Sequence, residues 1–157
     1  MKKWTYGADT EQATDQLGEA LAEILPDGTT VSLNGTLGAG KTHLVRAVAA
    51  ACGIADDQVV SPTYVLCQEY HGQRTIYHLD VYRIGDEDEF LNLGPEEYFE
   101  SNGIVLIEWA EKVAECLPDE RIDVLVEVVS ETSREFRFTA IGKRYEGVLG
   151  RLAARFN

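Results

Sequence analysis

The feature that most constrains this chain is a glycine-rich segment that ends in a lysine, between residues 35 and 42. It reads GTLGAGKT and fits the pattern G-x-x-x-x-G-K-[ST], whose backbone wraps around the phosphates of a nucleotide. Glycine allows the tight turns that point successive N–H groups inward at oxygen atoms. In this pattern the ammonium of Lys41 reaches the β- and γ-phosphates, and the hydroxyl of Thr42 is a ligand for Mg²⁺.

The residues on either side predict the strand and the helix that such a loop requires. A short β-prone run at 29–33 precedes the loop, and apolar residues recur at helical spacing from Leu44 to Cys52, where Gly53 is a stop signal. The positive end of the helix dipole then lies beneath the phosphates. We expect the Lys41 side chain to face solvent. The predicted nucleotide contacts in this unit are Gly35, Leu37, Gly38, Ala39, Gly40, Lys41 and Thr42.

The rest of the sequence alternates predicted strands and helices, which indicates an α/β fold with layers of helix on a sheet. Expected strands cover 4–7, 29–33, 64–70, 75–81, 103–107, 122–129 and 135–141. Expected helices cover the stretch from a cap at Asp9 or Thr10 to Leu25, two short pieces within 86–100, a short piece before Pro118, and 143–156. Because the last two strands form a hairpin, we predict a central mixed, partly parallel sheet in a single P-loop NTPase-like domain over residues 1–157.

The charge of the chain limits the partners that it can contact directly. Its 27 acidic residues against 14 Lys and Arg give a formal net charge of −13. Such a balance opposes binding to a nucleic-acid backbone, which normally needs a basic surface. Two interpretations of the acidic surface stay open: it solvates the protein, or it also contacts a basic protein partner.

Cysteine usage and hydropathy predict a cytoplasmic protein. The three cysteines are an odd number and lack C-x-x-C spacing, so we expect no disulfide and no zinc site. No apolar run approaches the roughly 20 residues that cross a bilayer, so we expect no membrane contact. The first residues are charged but lack the apolar core of a signal peptide.

Two acidic residues at predicted strand ends are candidates for handling metal and water. Asp80 follows the strand-like run 75–79, and Glu108 follows the run 104–107. A phosphate loop needs a second acid for these tasks, and strand-end carboxylates lie beside the ligand crevice of α/β sheets. Spacing leaves open which acid ligates the metal and which orients water. Either could also be solvated, or paired with an arginine such as Arg83.

Weaker signals lie outside the loop. In the segment SPTY at 61–64, Thr63 could offer its hydroxyl to Mg²⁺ or to the γ-phosphate, and a plain turn before a strand is the alternative. For His71 and His78 a structural hydrogen bond is favoured over catalysis. Arg134 could supply positive charge to the site, but solvation is favoured for such a long basic side chain. The absence of an N-K-x-D element favours adenine over guanine.

Four segments together resemble the TsaE family (formerly YjeE), the small bacterial ATPases of tRNA threonylcarbamoyladenosine (t6A) synthesis. They are LGAGKT at 37–42, SPTY at 61–64, HLDVYR at 78–83 and IEWAEK at 107–112. The first is generic to phosphate loops, but the other three in this order are far more specific. The resemblance covers nearly the whole chain.

The resemblance implies roles for individual residues. ATP binds the loop, with Lys41 on the phosphates and Thr42 on Mg²⁺. Glu108 is the second metal ligand, and Asp80 acts in hydrolysis. Thr63 lies in a switch-like loop. Adenine contacts come from the start of the first helix and from the late hairpin, which here means Thr10, Glu11, Thr132 and Ser133.

The resemblance also implies partners. Family members hydrolyse ATP poorly alone and act with TsaD and TsaB, where TsaD modifies adenosine 37 of tRNAs that read ANN codons. The tRNA is then reached only indirectly. Thr36 and His43 depart from the family pattern, which has an acid and a small hydroxyl residue there. Two alternative functions stay open: a small-molecule kinase that uses the same loop, and a non-catalytic switch that reports nucleotide state to a partner.

Overall fold

Strands and helices follow one another in the order that the sequence predicts. The computed structural model describes residues 2–36, 38–55, 58–59 and 67–157. The strands there are β1 (Lys3–Ala8), β2 (Thr30–Gly35), β3 (Cys67–His71), β4 (Thr75–Asp80), β5 (Ile104–Glu108), β6 (Arg121–Val128) and β7 (Arg134–Ile141). The helices are α1 (Glu11–Ile24), α2 (Lys41–Ala51), α3 (Glu87–Leu91), α4 (Glu96–Phe99) and α5 (Lys143–Arg155), and a 3₁₀ segment covers Ala110–Cys116.

All of these strands lie in one mixed sheet, in the order β1-β7-β6-β2-β5-β4-β3. The central strands β6, β2, β5 and β4 are parallel to one another. At one side of the sheet β7 pairs antiparallel with β6, and β1 pairs antiparallel with β7. At the other side β3 pairs antiparallel with β4. Every residue of β5 is buried, as expected for a parallel strand covered on both faces. The prediction of an α/β fold with a mixed, partly parallel sheet is therefore confirmed.

Two apolar clusters hold helices on the two faces of this sheet. On one face α1, α2 and α5 pack over the strands, with Leu17, Val48 and Leu149 fully buried. On the other face Ile107 belongs to one apolar cluster with Phe90 and with buried residues of the 3₁₀ segment. The two faces alternate along β5, because successive side chains of a strand point to opposite sides. The phosphate loop is thus fixed between a buried strand and a packed helix.

Helix α1 begins at a side-chain cap. The hydroxyl of Thr10 accepts a hydrogen bond from the Ala13 backbone N–H at 3.1 Å, so Thr10 rather than Asp9 is the N-cap. The cap therefore satisfies one backbone N–H in the first turn of α1.

Close packing of α1 against α2 depends on Gly18. A Cβ at this position would lie 2.3 Å from the Cβ of Ala47. We expect Gly18→Ala to lower the free energy of unfolding by about 1–3 kcal/mol, because overpacking forces the helices apart. Gly147→Ala is the matched control, since a Cβ there meets nothing within 4 Å and alanine favours a helix. Urea unfolding curves measure both, and equal midpoints for the two variants would contradict this packing account.

Candidate nucleotide site

Three parallel strands bring their carboxyl ends to one edge of the sheet. In the pairing register Glu108 of β5 stands opposite Leu33 of β2 and opposite Asp80 of β4. The chain leaves β2 at Gly35 and enters α2 at Lys41. The glycine-rich loop therefore lies beside both of the strand-end acids that the sequence singles out.

The loop glycines adopt backbone conformations that side chains rarely reach. Gly35, Gly38 and Gly40 have φ angles of 140°, 78° and 112°. A Cβ on Gly35 would also lie 2.4 Å from the carbonyl oxygen of Val126 on β6. Ala39 is buried, and its N–H donates to the Thr36 carbonyl at 3.1 Å. The loop shape thus requires glycine at these positions. Leu37 lies outside the described residues.

Lys41 lies inside the loop rather than in solvent. Only 4% of its surface is exposed, and its Nζ donates to the carbonyls of Gly35 at 2.7 Å and Thr36 at 2.9 Å. The same Nζ lies 3.9 Å from the ring centre of Trp109. The expectation of a solvent-facing side chain is wrong, because two backbone acceptors and an aromatic face draw the ammonium inward.

The charge state of Lys41 depends on opposing effects. Burial lowers the pKa of its ammonium, and the carboxylates of Glu108, Glu111 and Asp80 act in the opposite direction. The net result is a lowered pKa for Lys41, because burial is the larger of the two effects.

Thr42 and Glu108 are in direct contact although 66 residues separate them. The Thr42 hydroxyl is 2.8 Å from Oε1 and 3.0 Å from Oε2 of Glu108, whose side chain is almost fully buried. Hydroxyl and carboxylate oxygens are the hard ligands that Mg²⁺ takes in proteins, usually in small number beside substrate phosphates. The donor set therefore fits this ion.

Asp80 ends β4 beside Glu108 and is largely buried, with 7% of its surface exposed. Its Oδ1 accepts a hydrogen bond from the Tyr82 N–H at 2.9 Å, which fixes the carboxylate at the turn after the strand. The ring of Tyr82 lies 4.8 Å from that of Trp109. Spacing in the sequence left open which of the two acids ligates the metal. In the structure Glu108 is the acid that contacts the Thr42 hydroxyl.

A cavity of about 590 Å³ lies between the start of α1, the loop and the β6–β7 hairpin. Thr10, Glu11 and Thr132 line it together with Gly38 and Gly40. Ser133 is held next to it, since its hydroxyl lies 3.2 Å from Oδ1 of Asp9. The structure thus brings the candidate adenine contacts of α1 and the hairpin to the loop. Thr63 lies outside the described residues.

Sequence reasoning missed some residues around this site. Arg134 and His43 line the same cavity, and Arg134 Nη1 donates to the carbonyls of Ser130 at 2.9 Å and Ser133 at 3.0 Å. The interpretation of Arg134 as merely solvated is incomplete. Its position at the first residue of a hairpin strand is the one sequence signal that could have placed it near the loop.

A strand, a glycine-rich loop and a helix whose lysine and threonine lie beside strand-end carboxylates define a P-loop NTPase-like protein. The sequence pattern of the family described as "Threonylcarbamoyl adenosine biosynthesis protein TsaE" matches residues 8–136. The chain belongs to the TsaE family, as its four segments predict.

Individual relatives agree with this assignment. The chain is 37% identical over 158 residues to the tRNA threonylcarbamoyladenosine biosynthesis protein TsaE of Bacillus subtilis, covering 100% of this chain and 98% of the relative. It is 41% identical over 134 residues to the TsaE of Haemophilus influenzae, covering 82% and 83%. A crystal structure of Bacillus subtilis YdiB superposes with a TM-score of 0.83 at 31% identity, covering 99% of this chain and 97% of that one.

Two features are absent from the described part of the chain. None of their helices combines the length and apolar character that a membrane crossing requires. Nor do three or more His, Cys, Asp or Glu residues among them gather as a metal cluster.

Proposed function

We propose that this chain is a Mg²⁺-dependent ATPase that supports threonylcarbamoylation of adenosine 37 in tRNAs reading ANN codons. It forms one ATPase domain over residues 1–157 and acts in the cytoplasm through TsaD and TsaB. The observation that carries the proposal is the contact of Thr42 with Glu108 at 2.8 Å, beside the phosphate loop. Membership of the TsaE family supports the biological role.

Metal and phosphates are held by different groups. Thr42 and Glu108 would hold Mg²⁺, which when bound neutralises charge on the β- and γ-phosphates. Lys41 exchanges its two carbonyl acceptors, on Gly35 and Thr36, for phosphate oxygens. The N–H groups of Gly38, Gly40 and Thr42 bind the remaining oxygens, and the N–H of Ala39 joins them by giving up the Thr36 carbonyl. Because these groups are fixed in place and partly shielded from water, they stabilise developing charge strongly.

Asp80 is the residue that we assign to the attacking water. Glu108 contacts Thr42, and Asp80 ends the neighbouring strand β4 at the same edge of the sheet, where its carboxylate can orient water or accept its proton. The cavity beside Thr10 and Glu11, with Ser133 at its rim, would hold the adenosine. Thr63 completes the proposed nucleotide contacts from the segment at 61–64.

The acidic surface supports action through protein partners. A formal net charge of −13 gives the chain no electrostatic attraction for a tRNA backbone. The tRNA is therefore reached indirectly, through the proteins that the ATPase assists.

Asp80→Asn is expected to lower kcat for ATP hydrolysis about 100-fold while the affinity for ATP stays within about threefold, because the change removes a proton acceptor but keeps the side-chain shape. Single-turnover hydrolysis and calorimetry with ATP measure the two quantities. The exposed Asp119, replaced by Asn in the same way, is the control and should behave as wild type. An unchanged kcat in Asp80→Asn would remove Asp80 from the mechanism.

Phosphate release from ATP by the purified chain, alone and with TsaD and TsaB, tests the proposed function. We expect slow release without any acceptor and faster release in the complex. Release that requires an added small-molecule acceptor would indicate a kinase instead. Repeated cycles of tRNA modification with a non-hydrolysable ATP analogue would indicate a switch.

A further inference from the structure

A chain of buried hydrogen bonds runs from the outer strand β3 to the proposed metal ligand. His78 on β4 is completely buried, and its Nε2 lies 2.5 Å from Oε2 of Glu108. Its Nδ1 lies 3.0 Å from the hydroxyl of Tyr70, which is itself 2.5 Å from Oε1 of Gln68. Both ring nitrogens of His78 are thus engaged, so the imidazole is held from both sides.

The direction of the bond to Glu108 follows from the chemistry of the acceptor. An ionised carboxylate has lone pairs but no hydrogen, so Nε2 of His78 carries the proton and donates it. Oε2 of Glu108 accepts this bond, and Oε1 is the oxygen closest to the Thr42 hydroxyl. The two carboxylate oxygens therefore have different partners: Oε2 accepts from His78, and Oε1 lies closer to Thr42.

We infer that His78 is a positioning residue that fixes the Glu108 carboxylate through Oε2 and presents Oε1, with the Thr42 hydroxyl, to the metal. The inference rests on the proposed function, because it presupposes that Mg²⁺ and nucleotide bind here. Carboxylates that ligate metals are themselves commonly hydrogen-bonded, and loss of such a partner typically weakens metal affinity 10- to 100-fold.

Tyr70 extends this arrangement by one strand. Its ring centre lies 5.9 Å from that of His78, and its hydroxyl contacts the nitrogen that faces away from Glu108. The imidazole therefore cannot rotate without breaking a hydrogen bond on each side. Glu108 is therefore bound at Oε2 by a side chain that is itself held in place.

Binding of Mn²⁺ to the protein–ADP complex, followed by electron paramagnetic resonance, tests the inference without relying on turnover. We expect His78→Leu, which removes the donor at similar volume, to weaken Mn²⁺ binding at least about 10-fold. His78→Gln can place an amide N–H near Oε2 and should recover affinity to within about threefold of wild type. His71→Leu is the matched control, because this histidine lies on the adjacent strand and its side chain is 68% exposed.

The results separate positioning from simple packing. Binding of ADP in the presence of EDTA should be the same in wild type and in all three variants. Wild-type Mn²⁺ affinity in His78→Leu would overturn the inference, as would equal loss of Mn²⁺ and ADP binding in both His78 variants. If His78→Leu does not fold, Tyr70→Phe replaces it and should weaken Mn²⁺ binding by about two- to fivefold without changing ADP binding. Unchanged Mn²⁺ binding there would overturn the inference. Failure of the wild-type protein to bind ADP and Mn²⁺ would instead overturn the proposed function.

Discussion

Replacement of Lys41 by alanine is expected to lower kcat/KM for ATP hydrolysis about 1000-fold, because it removes the cation that stabilises charge on the transferring phosphoryl group. Modification of tRNA in cells should be lost with it. The fold should persist even though the side chain is buried, since its acceptors on half-buried Gly35 and exposed Thr36 can be solvated by water. Removing the ammonium also removes the cost of burying a charge.

Lys143→Ala is the control for this prediction. Lys143 is the first residue of α5 and follows Gly142, just as Lys41 is the first residue of α2 and follows Gly40. The control should keep wild-type hydrolysis and a similar melting temperature. Normal levels of modification in cells carrying only the Lys41→Ala protein would contradict the mechanism.

Replacement of Glu108 by glutamine is expected to lower the rate of ATP hydrolysis by a factor similar to that for Lys41→Ala. The change keeps the shape of the side chain but removes the negative charge that would ligate Mg²⁺. A bound metal supplies several kcal/mol of charge stabilisation. Loss of roughly 4 kcal/mol of this transition-state stabilisation corresponds to about a 1000-fold lower rate. Phosphate release as a function of Mg²⁺ concentration measures the rate and the metal requirement together.

Glu115→Gln is the matched control for Glu108→Gln. Glu115 lies on the adjacent 3₁₀ segment, but it is exposed, so its charge is solvated. This variant should require the same Mg²⁺ concentration as wild type. If Glu108→Gln keeps both the rate and the Mg²⁺ requirement of wild type, Glu108 is not a metal ligand and the assignment must pass to another group.

Most of the fold follows from patterns that are local in the sequence. The run 104–107 is continuously apolar, and it forms a strand that is buried on both faces. The glycine-rich segment predicted the strand β2 and the helix α2, and both are present. These predictions succeed because hydrophobic periodicity and turn residues act over a few neighbouring positions.

The candidate site was predicted less completely. Both strand-end acids and the loop were singled out, but the burial of Lys41 was not foreseen, because its acceptors and the Trp109 ring come together only when β2 and β5 pair. Arg134 carried no motif of its own, and His78, although it opens the HLDVYR segment, was predicted only to make a structural hydrogen bond. Arg134 matters because it contacts carbonyls at the rim of the cavity. His78 matters because it contacts a carboxylate on the neighbouring strand.

The sequence by itself determined that a phosphate-binding loop joins a strand to a helix and that acidic residues close two later strands. Only the tertiary structure decided that Glu108, rather than Asp80, contacts Thr42, and that His78 holds the far oxygen of that carboxylate. Local propensity specifies which segments of the chain form strands. The order of strands in the sheet arises from packing between residues far apart in the chain, and that order selects which carboxylate stands next to the loop.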